Sequence, residues 1–126
     1  MDRQVVFNKV RDHLLAQGKK SYGEHVGFYH VRCAYRGDNG MKCAIGCLIP
    51  DDKYKRTFEG HALASRLYAD MSARDAIIEI LAEEFGGVCD DDKAFLEALQ
   101  SIHDNSWAYD WAKRLNECAV KHNLRP

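Results

Sequence analysis

The chain has 126 residues, with 18 Lys and Arg against 19 Asp and Glu and a formal net charge of −1. At 46% apolar and 29% charged residues it is globular in composition, and a chain this long buries roughly two-thirds of its unfolded surface around one core. Two Pro and nine Gly exclude collagen-like and Pro-rich classes, and the near-neutral balance excludes a uniformly basic binder of long nucleic acid.

Val6, Val10, Leu14 and Gln17 fall at helical spacing, with Val5 and His13 beside them and Gly18 as a stop. They predict an amphipathic helix over about residues 3–17. Lys19 to Glu24 is polar and glycine-containing, hence a loop. From Val26 to Arg36 the residues turn β-branched and aromatic, and Gly37-Asp38-Asn39-Gly40 reads as a hairpin tip. The second strand starts at Met41 and merges into the apolar run Cys43–Ile49, closed by Pro50. That run fits a strand or a buried helical turn equally well.

Beyond Gly60 the pattern is helical. Ser72 opens a capping-box pattern with Asp75, Ile77, Ile78, Leu81 and Phe85 form one face, and Gly86-Gly87 ends it. Asp90, Asp91 and Asp92 mark the next helix N-terminus, where the dipole favours negative charge. Phe95, Leu96, Leu99, Ile102 and His103 supply its stripe. Trp107, Trp111, Leu115, Cys118 and His122 give the stripe of a final helix. The expected fold is α+β, a small β-hairpin or sheet packed against four to five α-helices in a single domain 1–126. No run approaches the roughly 18 apolar residues of a membrane span, and Met1–Gln17 has no signal-peptide core. Five cysteines, an odd count, suit reduced thiols, so a cytoplasmic protein is expected.

The charge is unevenly distributed. Residues 1–60 hold 11 Lys and Arg against 7 Asp and Glu, and residues 61–126 hold 7 against 12. In an extended strand Phe28, His30, Arg32, Ala34 and Arg36 face one way and Tyr29, Val31, Cys33 and Tyr35 the other. The first set joins Lys42 of the neighbouring strand as a candidate phosphate site, with Tyr22, Phe28 and Tyr54 available to stack on a base. Arg32 and Arg36 then lie on the solvent side, and replacing them is expected to spare folding. Asp51 and Glu59 belong to a turn after Pro50, or else orient Arg32 or Arg36 and accept hydrogen bonds from ligand hydroxyls.

His30-x2-Cys33 and Cys43-x3-Cys47 offer four ligands at zinc-like spacings, but the second pair sits in an apolar run where Cys acts as a small hydrophobe. No metal and no cofactor is therefore expected. Cys43, after Lys42, is the best candidate for a cysteine nucleophile, against the simpler reading of a buried thiol. The adjacent His103-Asp104 suits a phosphohydrolase pair, but it also suits a hydrogen-bonded core histidine followed by a helix-end carboxylate. No catalytic residue is assigned on these grounds.

The block Cys33-Ala-Tyr-Arg-Gly, Lys42-Cys-Ala-Ile-Gly-Cys-Leu-Ile-Pro-Asp51 and Glu59-Gly60, with Gln100-Ser-Ile-His-Asp104, resembles a family of small phage and prophage proteins. The resemblance implies a viral context and brings no activity or catalytic residues with it. Together with the basic hairpin it leads to one expectation: a homo-oligomer that sequesters a nucleotide immune signal of the bacterial host. Ligand contacts would come from Arg32, Arg36, Lys42, His30, Tyr22, Phe28, Tyr54, Asp51 and Glu59. The alternatives are a hydrolase that cleaves such a signal, and a protein–protein inhibitor or structural accessory with Trp107, Tyr109 and Trp111 as interface anchors.

Overall fold

Four α-helices carry the chain in the computed structural model, which describes residues 1–23 and 32–126, Arg32 by its backbone alone. Helix α1 spans Arg3–Gln17, where Asp2 caps the Val5 N–H and Gly18 closes the last turn at φ 66°. Helix α2 spans Met71–Phe85, α3 Asp90–Asn105 and α4 Trp111–Lys121. Val6, Phe7, Val10 and Leu14 of α1 pack with Phe95, Leu96 and Leu99 of α3 and Trp111 and Leu115 of α4 in one buried cluster. Ile77 and Leu81 of α2 join it with Phe58 and Leu63. Each such side chain contributes about 1.5–3 kcal/mol by leaving water.

Helix starts depend on local chemistry. Asp92 accepts from the Cys89 N–H and so closes a capping box at α3, as the run of three aspartates implies. At α2 the expected Ser72–Asp75 box is not used. A 3-10 turn over Tyr68–Asp70 runs straight into the helix, so Asp70 stands at the N-cap with helical φ and ψ and makes no capping bond. The turn Ala108–Asp110 does the same for α4, leaving Trp107 ahead of the helix and 67% exposed rather than on its buried stripe.

The chain is helical, and the expected α+β sheet is not formed. Among the described residues β pairing is limited to β1 (Tyr22–Gly23) against β2 (Arg32–Cys33) and one antiparallel bridge, Arg36 to Lys42. Glu59 explains why the ladder stops after Cys33. Its carboxylate accepts the N–H groups of Tyr35 and Arg36 at 2.9 and 3.0 Å, which takes the donors a neighbouring strand would need. Strand alternation ends with the ladder, so Ala34 and Tyr35 are both buried. The hairpin tip survives as a short turn over Asp38–Gly40, with Asn39 at φ 58° and Gly40 at φ 75°.

Cys43–Ile49 resolves as a buried helical turn, with Cys47 N–H donating to the Cys43 carbonyl and Leu48 N–H to that of Ile45. Gly46 is required there by close approach: a Cβ would come within 2.0 Å of the Tyr35 carbonyl oxygen. Of the expected strand 26–36, residues 26–31 lie outside the described residues. No helix among the described residues is long and apolar enough to cross a membrane.

Candidate functional site

Five of the residues expected to hold an anion do come together, but they bind one another. The Arg36 guanidinium donates to the carbonyls of Gly46 (2.5 Å) and Ile49 (2.7 Å) and to Asp51 Oδ1 (3.0 Å), and it lies over the Tyr54 ring at 5.1 Å. Lys42 Nζ reaches the same Asp51 oxygen at 3.4 Å, and the Tyr54 hydroxyl donates to Glu59 at 2.6 Å. The Arg36 side chain is 16% exposed, so it is a tie inside the chain and not a solvent-facing cation. Asp51 pairs with the Arg36 guanidinium and Glu59 holds the Arg36 backbone N–H, and the expected turn after Pro50 is formed as well, with the Lys53 and Tyr54 N–H groups donating to the Pro50 carbonyl. Tyr22 is exposed in β1. His30 and Phe28 lie outside the described residues, as does the Arg32 side chain.

A cleft of about 130 Å³ opens instead where β2 and the following turn meet α3, bordered by Cys33, Tyr35, His61, Gln100 and Asp104. Two networks fix its polar walls. Ser21 N–H donates to Nε2 of the fully buried His103 at 2.9 Å. A ring nitrogen that accepts carries no proton, so the proton is on Nδ1 and is donated to Asp104 Oδ1 at 2.7 Å. Gln100 Nε2 donates to that oxygen too, while Gln100 Oε1 accepts from the Ile45 N–H. On the other wall, His61 Nδ1 and the Ser65 hydroxyl both bond Asp70, whose carboxyl they hold below its ordinary value. Asp70 is thus an acceptor, so Nδ1 of His61 donates to it. The Tyr35 hydroxyl holds the His61 carbonyl at 2.7 Å.

Ligand atoms of Cys33, His103 and Asp104 lie within 4.8 Å of one another, a donor set that zinc accepts. The hydrogen bonding argues against a metal there. Both nitrogens of His103 are committed, and a metal on Nδ1 would displace the proton shared with Asp104. His103 is the hydrogen-bonded core histidine of the second expected reading. Burial first, then the Asp104 charge, pushes the Cys33 thiol up to about 12. Burial pushes Cys47 to about 12 as well and Cys43 well above its ordinary value. Cys43, buried and accepting from the Gly46 N–H, is therefore a protonated thiol and not an activated nucleophile.

At the edge of this region Lys20 Nζ donates to the Asp104 carbonyl (3.1 Å) and lies 5.9 Å from the Trp107 ring centre. Trp107 and Tyr109 are parallel within 6°, with centres 6.2 Å apart, and are 67% and 80% exposed. Sequence reasoning missed Lys20 and His61 and gave Trp107 to a helix stripe. The signal it passed over was Trp-x-Tyr directly before a helix start, a spacing of two that does not belong to a helical face. No protein-family model, curated protein or solved structure matches the chain.

Proposed function

We propose that the chain binds a nucleotide-class ligand at the surface formed by Lys20, Trp107 and Tyr109, and not at the hairpin cations. The observation that supports this reading is the pairing of two exposed, parallel aromatic rings with an ammonium group over the Trp107 ring. Exposed rings of this kind stack on a base with about 1–3 kcal/mol each, and a lysine beside them is a point charge for phosphate. Sequestration of a host signal in the cytoplasm by a phage-type homo-oligomer is the biological form of this reading. The 130 Å³ cleft is too small to enclose a nucleotide, so the sugar and phosphate must lie outside it.

Intrinsic fluorescence tests the proposal, because Trp111 is fully buried and Trp107 is exposed. Titration with cyclic dinucleotides, cyclic trinucleotides and ADP-ribose should quench the Trp107 signal and raise Tm. A ligand at 100 times its Kd adds about 2.7 kcal/mol, a shift of several degrees. Replacement of Trp107 by Ala should abolish both responses. If no nucleotide moves either signal, the reading fails. Recovery of altered ligand after denaturation would favour the hydrolase alternative, and co-purification of a host protein without any nucleotide response would favour the inhibitor.

A further inference from the structure

On the far side of α2 from the core, two depressions of about 320 and 290 Å³ share Lys55, Phe58 and Ala76 and so run on as one groove between α2 and the segment 52–61. Buried Phe58 gives it an aromatic floor. Its α2 wall is made of small side chains, Ala69, Ser72, Ala73 and Ala76, at spacings that keep them on one helical face. Directly ahead of that face stand Leu67 and Tyr68, 70% and 93% exposed, and neither joins the cluster that holds the chain together. Tyr68 is the most exposed large apolar side chain among the described residues. The 3-10 turn that carries it runs straight into α2, which fixes its place relative to the groove.

We propose that this face joins two copies of the chain, with Tyr68 of each copy seated in the groove of the other. The inference goes beyond the nucleotide reading and does not depend on it. Knob and hole lie on one element, Tyr68 eight residues and about 12 Å ahead of Ala76. Two antiparallel α2 helices related by a two-fold axis at Ser72 fill both holes at once, because Tyr68 and Ala76 are equidistant from Ser72. Such a contact is closed and leaves no hole for a third copy. Ser72 then meets its own copy at the axis, and Ala69 and Ala73 beside it let the backbones approach to about 8 Å. The charges agree with this register. Arg66, 64% exposed, precedes the knob, and exposed Glu79 borders the hole, so each copy brings a cation towards the other's anion. Asp75 falls opposite Ala69, whereas a parallel pairing would set Asp75 and Glu79 against themselves. Lys55, which borders both depressions, offers a donor to the Tyr68 hydroxyl. The two Tyr68 rings alone bury roughly 300–500 Å². With Leu67 they form the core of a contact at the small end of specific interfaces, roughly 1,200 Å² in total, which fits a reversible dimer with a Kd on the order of 10 µM.

Sedimentation velocity on the unaltered, ligand-free chain should show a monomer at about 1 µM and a dimer above about 100 µM. Tyr68→Ala removes the knob, and Ser72→Arg sets two guanidinium groups against each other at the axis. Both positions are exposed, so both variants should keep the parent's urea midpoint at the lower concentration and stay monomeric at the higher one. Val120→Ala, which trims an equally exposed side chain on α4, should leave the dimer unchanged. Ser72→Cys should give a covalent dimer on mild oxidation, since a residue at the two-fold axis meets its own copy, while the parent, with Cys89 exposed, should give none. A parent that stays monomeric above about 100 µM overturns the proposal. A dimer that survives both Tyr68→Ala and Ser72→Arg uses another face and overturns it equally. Trp107 quenching by nucleotides is read separately in the Tyr68→Ala monomer, so failure of the dimer and failure of the nucleotide reading are told apart.

Discussion

The guanidinium of Arg36 has three acceptors within the chain, the carbonyls of Gly46 and Ile49 and the carboxylate of Asp51. Two of these are backbone groups of the helical turn at Cys43–Ile49, of which the Gly46 carbonyl also accepts from the Ile49 N–H at 3.3 Å. Replacing Arg36 by Ala should destabilise the protein by about 2–3 kcal/mol in urea titration, because the Ile49 carbonyl loses its donor, the Gly46 carbonyl loses the stronger of two, and the Tyr54 face loses its cation. Arg36→Lys should recover less than half of that, since an ammonium cannot present a planar fork to three acceptors. A variant as stable as the parent would show that water replaces the guanidinium. Strand parity placed Arg36 correctly beside Lys42 but on the wrong side. Parity holds only while a ladder continues, and nothing in the local residue pattern marks Glu59, 23 residues away, as the group that ends it.

At the scale of elements, the apolar spacing of α1 and the aspartate run of α3 were legible because both are local patterns read against one helix. The starts of α2 and α4 were not, since each is preceded by a 3-10 turn that has no apolar period. The docking of α1 on α3 carries a pH dependence. Asp92, 4% exposed, accepts from Arg3 at 2.6 Å and from the Cys89 N–H. Burial alone would raise its carboxyl, but Arg3 and Cys89 outweigh burial and hold it below the ordinary value of 3.8. The native state therefore binds fewer protons than the unfolded chain in this range. The contribution of Asp92 is fully present above about pH 4 and is lost as pH falls through the lowered native value. Asp92→Asn should have a lower urea midpoint than the parent at pH 7, and the gap should narrow towards about pH 2. A gap independent of pH would place the cost in packing and not in the charge.

Across the whole molecule the two halves of the sequence, one basic and one acidic, are stitched together by cross-ties and do not present two opposed faces. Lys53 meets Glu83 and Glu84, and Arg3 meets Asp92. Part of the uneven charge that pointed to an anion site thus holds α1 and the segment after Pro50 to the helices, while Arg36 and Lys42 are tied to Asp51 within their own half. His103 is the buried part of that joint. Its ring stacks on Trp111 with centres 5.5 Å apart, accepts from Ser21 and donates to Asp104. In His103→Leu the ring's volume is roughly kept, but Ser21 N–H loses its partner, and Asp104 Oδ1 keeps Gln100 alone. The expected cost is about 1–3 kcal/mol, since the orphaned Ser21 N–H bears its desolvation penalty. Global loss of stability is not specific to this joint, but amide exchange at Ser21 is. In the parent that amide should exchange as slowly as the α3 core, and in His103→Leu it should exchange faster by more than the global stability change accounts for. Ser21 protection that tracks global stability alone would mean that β1 is held by its pairing with β2 and not by His103.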